Sequence, residues 1–161
     1  MIVVSDASPI NYLIEIGHID VLPLLFQRII IPRTVAEELT AERAPQRNKQ
    51  WLANAGEHFQ IVAARHFDPS LDLDPGETEA ICLAEELHSD ALLIDEVEGR
   101  KVATRRGIQV FGTVGVLEFA AYRGHISLDE TLEKLSQTRF FLAEKLRSEA
   151  LERWRTWKVS Q

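Results

Sequence analysis

Residues 73–106 read LDPGETEAICLAEELHSDALLIDEVEGRKVATRR, and their pattern decides the fold. Asp74-Pro75-Gly76 is a turn signal that opens a helix. Glu77 and Glu79 fall in its first turn, where the helix dipole favours negative charge. Ala80, Ile81, Leu83, Ala84 and Leu87 follow at helical spacing. After a break at His88-Ser89-Asp90 comes the apolar run Ala91-Leu92-Leu93-Ile94, whose length and flanks predict a buried parallel strand. Asp95, Glu96 and Glu98 stand just past its end, and Gly99 begins a second helix carrying Arg100, Lys101, Arg105 and Arg106. Open α/β sheets bind ligands in the crevice outside the carboxyl ends of their strands. This helix–strand–helix unit therefore delivers acids to the place where a ligand binds.

Working outward, the same alternation recurs on both sides. Upstream, Ile2-Val3-Val4 predicts a short buried strand with Asp6 at its carboxyl end. Ser8-Pro9 reads as the N-cap and first residue of a helix ending near Gly17. A short helix follows over about residues 20–26, then a strand, Arg28–Ile31, closed by Pro32. Thr34 and Glu37 have capping-box spacing for the next helix, which carries Glu38. Residues 41–50, AERAPQRNKQ, predict a polar loop, with a short helix from Trp51 to near Gly56. Phe59–Val62 predicts a third strand at an edge of the sheet, and residues 64–72 a loop. Downstream, Ile108–Phe111 predicts a further strand, and residues 114–122, 128–136 and 140–157 predict helices. The class is α/β: a central, mostly parallel sheet flanked by helices. The expected organisation is one domain over residues 1–161, with 128–161 as a C-terminal helical extension.

Composition narrows the function. The chain has 161 residues, 45% hydrophobic and 27% charged, enough for a real core and far from the composition of a disordered segment. No apolar run approaches the length of a membrane span, and Met1-Ile2-Val3-Val4 lacks the basic start of a signal peptide. With a single cysteine, Cys82, no intrachain disulfide framework is possible, and a cytoplasmic location is the expectation. The net charge of −7 argues against general duplex binding, so any nucleic-acid role rests on a local basic patch or on cations held by carboxylates.

Asp6 and Asp95 both follow short apolar strands. If the strands are neighbours, the two side chains meet in the crevice, with Glu38 and Glu79 on helices that flank it. Carboxylates gathered without counter-charge repel, and a divalent cation removes that cost. An all-oxygen set selects Mg²⁺ or Mn²⁺ over zinc, and one or two such ions activate water at a phosphodiester. Simpler roles exist for each member: a helix cap for Asp6, a dipole partner for Glu77 and Glu79, a solvated face for Glu38. The five histidines have no ligand or relay spacing. Phe111-Gly112-Thr113-Val114-Gly115 lacks the dinucleotide fingerprint, and Asp6-Ala7-Ser8 lacks the second aspartate of a haloacid-dehalogenase-type nucleophile.

Five short stretches, VSDASPI (4–10), IPRTVAEEL (31–39), DPGETEA (74–80), LIDE (93–96) and Gly99-Arg100, resemble the PIN domain in order and spacing. They are most similar to small prokaryotic PIN-like proteins related to VapC-type toxin ribonucleases. The resemblance implies a sandwich of helices around a parallel sheet, and a metal-dependent endoribonuclease using Mg²⁺ or Mn²⁺. It implies an RNA substrate, a small antitoxin partner and a possible homodimer. Carried onto this chain, it makes Asp6, Glu38, Glu79 and Asp95 the catalytic acids and places metal at Asp6, Asp95, Glu79 and Glu96 or Glu98. It sets Ser8 and Thr113 beside the crevice. Glutamate replaces the family's aspartate at position 79, and Glu96 and Glu98 compete for the place of a second aspartate, so a weakened site or a non-cleaving binding module is the alternative. Arg100, Lys101, Arg105 and Arg106 form the one dense basic cluster and are the candidate phosphate contacts; a solvated helix face explains them equally.

Overall fold

A computed structural model describes all 161 residues. Five strands, β1 (Ile2–Ser5), β2 (Arg28–Pro32), β3 (Phe59–Val62), β4 (Ala91–Leu93) and β5 (Val110–Phe111), form one sheet in the order β3-β2-β1-β4-β5. Every pairing is parallel. The chain builds outward from β1 to one edge, then returns to place β4 on the other side of β1. The boundary between β1 and β4 is thus the topological switch point, where α/β sheets open a crevice.

Nine α-helices cover the sheet: α1 (Ala7–Glu15), α2 (Val21–Leu25), α3 (Arg33–Leu39), α4 (Gln46–Ala53), α5 (Pro75–Glu86), α6 (Val97–Arg105), α7 (Thr113–Tyr122), α8 (Leu128–Ser136) and α9 (Glu144–Val159). The period of two along a strand sorts the side chains into two cores. Val3, Ile29, Ile31, Ala91 and Leu93 point into a large cluster with α1, α2, α3, α7, α8 and α9. Val4, Ile30, Leu92 and Ile94 point into a smaller one with α5 and α6. Both faces of the central strands are buried, which is why they read as unbroken apolar runs.

Several boundaries differ from the sequence expectation. Helix α1 starts at Ala7 with Asp6 at its N-cap, and the Asp6 side chain makes no capping hydrogen bond, leaving it free to face the crevice. At α3 the capping box does not form: Pro32 occupies the N-cap, and the Thr34 N–H donates instead to Glu79 Oε1 at 2.9 Å. Half of the expected 41–50 loop is helix α4, opened by Pro45, because Asn48 packs inward against α1. Helix α6 begins at Val97, two residues before Gly99. Leu128, Leu132 and Leu135 of α8 and Ala150 and Trp154 of α9 lie in the same cluster as the sheet residues, so the C-terminal helices pack into the main core. No helix is long and apolar enough to cross a membrane.

Candidate active site

Strands β1 and β4 are neighbours, the condition under which their terminal acids meet. The Asp6 N–H donates to Leu93 O at 2.9 Å, stitching the end of β1 to β4, and the Ile94 N–H donates to Phe111 O at 2.8 Å. Asp6 and Asp95 therefore leave adjacent strand ends. Both Asp95 oxygens are engaged: Oδ1 accepts the Thr113 N–H at 2.7 Å, and Oδ2 accepts the hydroxyls of Ser8 and Thr113, each at 2.7 Å. Donors from the starts of α1 and α7 thus fix one carboxylate at the switch point.

Helix α5 points its N-terminus at this place. Asp74 caps it, accepting the Glu77 N–H through Oδ1 at 2.8 Å. Gly76 packs where side-chain bulk would press on Glu38 and touch Asp6: a Cβ there would stand 3.2 Å from Glu38 Oε2 and 3.4 Å from Asp6 Oδ1. The crowding is electrostatic as well as steric. Burial, then repulsion from Asp74, Glu38 and Asp95, pushes the Asp6 carboxyl from 3.8 up to about 7 against a hydrogen bond from the Ala7 backbone. Burial, then Asp74, Asp6 and Glu96, pushes Glu77 from 4.5 to about 7. Partial burial and Asp74 raise Glu38.

Glu79 is committed elsewhere. Its Oε1 accepts the Thr34 N–H and hydroxyl at 2.9 and 3.0 Å, and its Oε2 accepts the Ala64 N–H at 3.3 Å. It pins α3 and the segment after β3 to α5. Glu96 faces the acid cluster through Glu77, while Glu98 is exposed and pairs with Lys101 at 3.2 Å. The basic cluster divides in the same way. Arg100, Lys101 and Arg105 line one groove of about 740 Å³ beside β5, together with Glu98. Arg106 lies outside that groove and pairs with Glu85 at 2.5 Å and Asp68 at 3.9 Å. Arg100 also donates to Ile94 O at 3.2 Å and packs over Gly112 next to Asp95.

The comparisons with known proteins agree with this architecture. A PIN-domain family model matches residues 2–156, nearly the whole chain. The chain belongs to the PIN-domain family. No curated protein matches this PIN domain. A solved structure, a PilT N-terminus domain protein from the hyperthermophilic archaeon Sulfolobus solfataricus P2, is similar to it in fold. The two share 15% identity over 89% of this chain and all of that one, with a TM-score of 0.51.

PIN domains are generally metal-dependent nucleases that use divalent ions. The donor chemistry of this PIN domain fits such an ion. Asp6, Glu77, Asp74, Glu38 and Glu96 are oxygen donors crowded without a cationic partner, and neither histidine nor cysteine is among them. No three acidic, histidine or cysteine side chains stand close enough to enclose an ion by themselves. A Mg²⁺ ion keeps several waters and needs only one or two carboxylates with the substrate phosphate. Sequence reasoning gave Asp74 and Glu77 to turn and dipole roles. What separates Glu77 from the equally buried Glu79 is its company: its carboxyl sits against Asp74 and near Asp6 and Glu96, whereas Glu79 accepts hydrogen bonds from Thr34 and Ala64.

Proposed function

We propose that this PIN domain is a Mg²⁺- or Mn²⁺-dependent endoribonuclease and the toxin half of a toxin–antitoxin pair. The observation that carries the nuclease reading is the pair Asp6 and Glu77, both pushed to about 7 by burial and by their acidic neighbours at the switch point. Two buried acids held close to neutrality gain from exchanging a proton for a cation. Asp6 with one neighbour, Glu77 or Asp95, would hold the ion together with waters and the substrate phosphate, with Glu38 and Glu96 at the rim. When bound, the ion lowers the pKa of a water and stabilises the leaving oxygen of a phosphodiester. The protein's own part is positioning. Ser8 and Thr113 fix Asp95, Glu38 is an exposed carboxylate able to orient water or accept its proton, and Arg100, Lys101 and Arg105 draw phosphates along the groove beside β5.

Support for the toxin role, a small antitoxin, a homodimer and a cytoplasmic setting comes from the motif resemblance and the single cysteine. One observation favours the second reading, a binding module that cleaves weakly: Glu79 is spent on structure and leaves the crevice one acid short of the expected set. Incubation of labelled single-stranded RNA in Mn²⁺, with chelator and with Asp6→Asn, separates the two. Cleavage abolished by both supports the enzyme. Binding without cleavage supports the module.

A further inference from the structure

Beside the acids lies a separate cleft of about 320 Å³ between α1, α3 and α4, bounded by Ser8, Asn11, Tyr12, Glu38, Asn48 and Glu96. Asn48 is 2% exposed, and its Oδ1 has no hydrogen-bond partner. Its Nδ2 donates to Asn11 Oδ1 at 3.0 Å. The pair therefore leaves the Asn48 Oδ1 acceptor unused at the wall of a cleft that the half-buried Asn11 amide also lines. Leaving a buried amide oxygen unpaired is costly, and such orphans in native proteins call for an explanation. The Tyr12 ring is braced by Phe140 in a T-shaped contact, with centroids 5.1 Å apart at 84°.

We propose that this cleft receives one unpaired nucleobase of the RNA next to the phosphate held at the acids, stacked on Tyr12 and read by the Asn11–Asn48 pair. The proposal rests on the nuclease reading for its ligand. The volume suits a planar ring and its ribose. Unstacked RNA bases are recognised by aromatic stacking and by amide hydrogen bonds to their edges, and every base carries both donors and acceptors. Glu38 and Glu96 on the rim repel a phosphate, which directs the neutral base here and the backbone to the basic groove. Ser8 belongs to both places: it lines the cleft and donates to Asp95, so a base held here lies one contact from the acids.

The test uses free nucleosides, so it does not depend on cleavage. Wild-type protein is titrated with adenosine, cytidine, guanosine and uridine, and with ribose 5-phosphate as the control, while the side-chain NH₂ signals of Asn11 and Asn48 are followed by NMR. Nucleosides are expected to shift both pairs of signals saturably, and ribose 5-phosphate is not. Asn11→Ala should weaken nucleoside binding at least about fivefold. Equal response to ribose 5-phosphate, no response to any nucleoside, or unchanged affinity in Asn11→Ala overturns the proposal. A wild-type protein that binds nucleosides but cleaves no RNA in Mn²⁺ defeats the nuclease reading while upholding the cleft.

Discussion

The Ser8 hydroxyl donates to Asp95 Oδ2 at 2.7 Å, tying the first turn of α1 to the end of β4 across the switch point. Thr113 adds two more donors to the same carboxylate. Asp95 is therefore a structural joint as well as a candidate ligand, and Asp95→Asn tests both roles. The Ser8 and Thr113 hydroxyls can turn to accept from the new amide, and Oδ1 can still receive the Thr113 N–H. The loss of charge-assisted bonds should cost about 1–3 kcal/mol. The variant is expected to fold with a lowered melting temperature in the absence of metal and to lose RNA cleavage in Mn²⁺. Full activity in a folded Asp95→Asn protein removes Asp95 from the chemistry.

Glu77 and Glu79 make a sharper pair. Glu77 is buried among acids, whereas both oxygens of Glu79 accept hydrogen bonds from α3 and the segment after β3. Glu77→Gln relieves repulsion, so the metal-free melting temperature should hold or rise while cleavage falls by at least about tenfold. Glu79→Gln weakens the tie to Thr34 and Ala64, so stability should drop by about 1–2 kcal/mol with less effect on the rate per folded molecule. Thermal unfolding beside single-turnover cleavage reads both. The opposite pattern returns the catalytic role to Glu79.

Stability without metal should depend on pH in a defined direction. Asp6 has a folded value near 7 against an ordinary 3.8, so the folded state holds a proton that the unfolded chain releases. Its contribution is fully present below about pH 4 and is lost as pH rises through about 7. Metal-free protein should therefore lose stability between these values, a trend that Mg²⁺ or Mn²⁺ reverses by binding only the folded form. Asp6→Asn should flatten the decline. Urea unfolding at stepped pH in chelator tests this, and a slope unchanged in the variant rules Asp6 out as its source.

The sheet was legible because its central strands are buried on both faces and so read as continuous apolar runs, Val3-Val4 and Ala91–Ile94, each ending in an acid. That the two strands are neighbours was a condition the sequence left open, because pairing across 88 residues leaves no local pattern; the structure pairs Val3 with Ala91. The choice between Glu77 and Glu79 was not legible. Residues two apart on a helix point roughly 200° from each other, so Glu77 meets Asp74 and Asp6 while Glu79 meets Thr34 and Ala64. The phase of α5 is set by how Gly76 and Ala80 pack, information that no local pattern carries. Arg105 and Arg106 part for a related reason: Arg105 is the last residue of α6 and lines the groove, while Arg106 is its C-cap and turns to Glu85. Asn48 was hidden for another reason: a polar stretch reads as loop unless the sequence shows what its one buried member packs against.

Gly76 gives the test that acts on the acids without touching one. It lies in the first turn of α5, in ordinary helical backbone, so Gly76→Ala should favour the helix by up to about 1 kcal/mol. The added Cβ would also stand 3.2 Å from Glu38 Oε2, 3.4 Å from Asp6 Oδ1 and 3.4 Å from Val35 Cγ2. Glu38 is exposed and can swing away, while Asp6 is buried on its strand end and has less freedom. The two effects on folding nearly cancel, so the melting temperature in chelator should stay within about 5 °C of wild type. Glu38 must give by a few tenths of an ångström, while the approach to Asp6 is ordinary contact. Metal-induced stabilisation should shrink, and cleavage in Mn²⁺ should fall about tenfold. If Gly76→Ala cleaves RNA at the wild-type rate and gains the same stability from metal, the placing of Glu38 beside Asp6 does not matter to the ion.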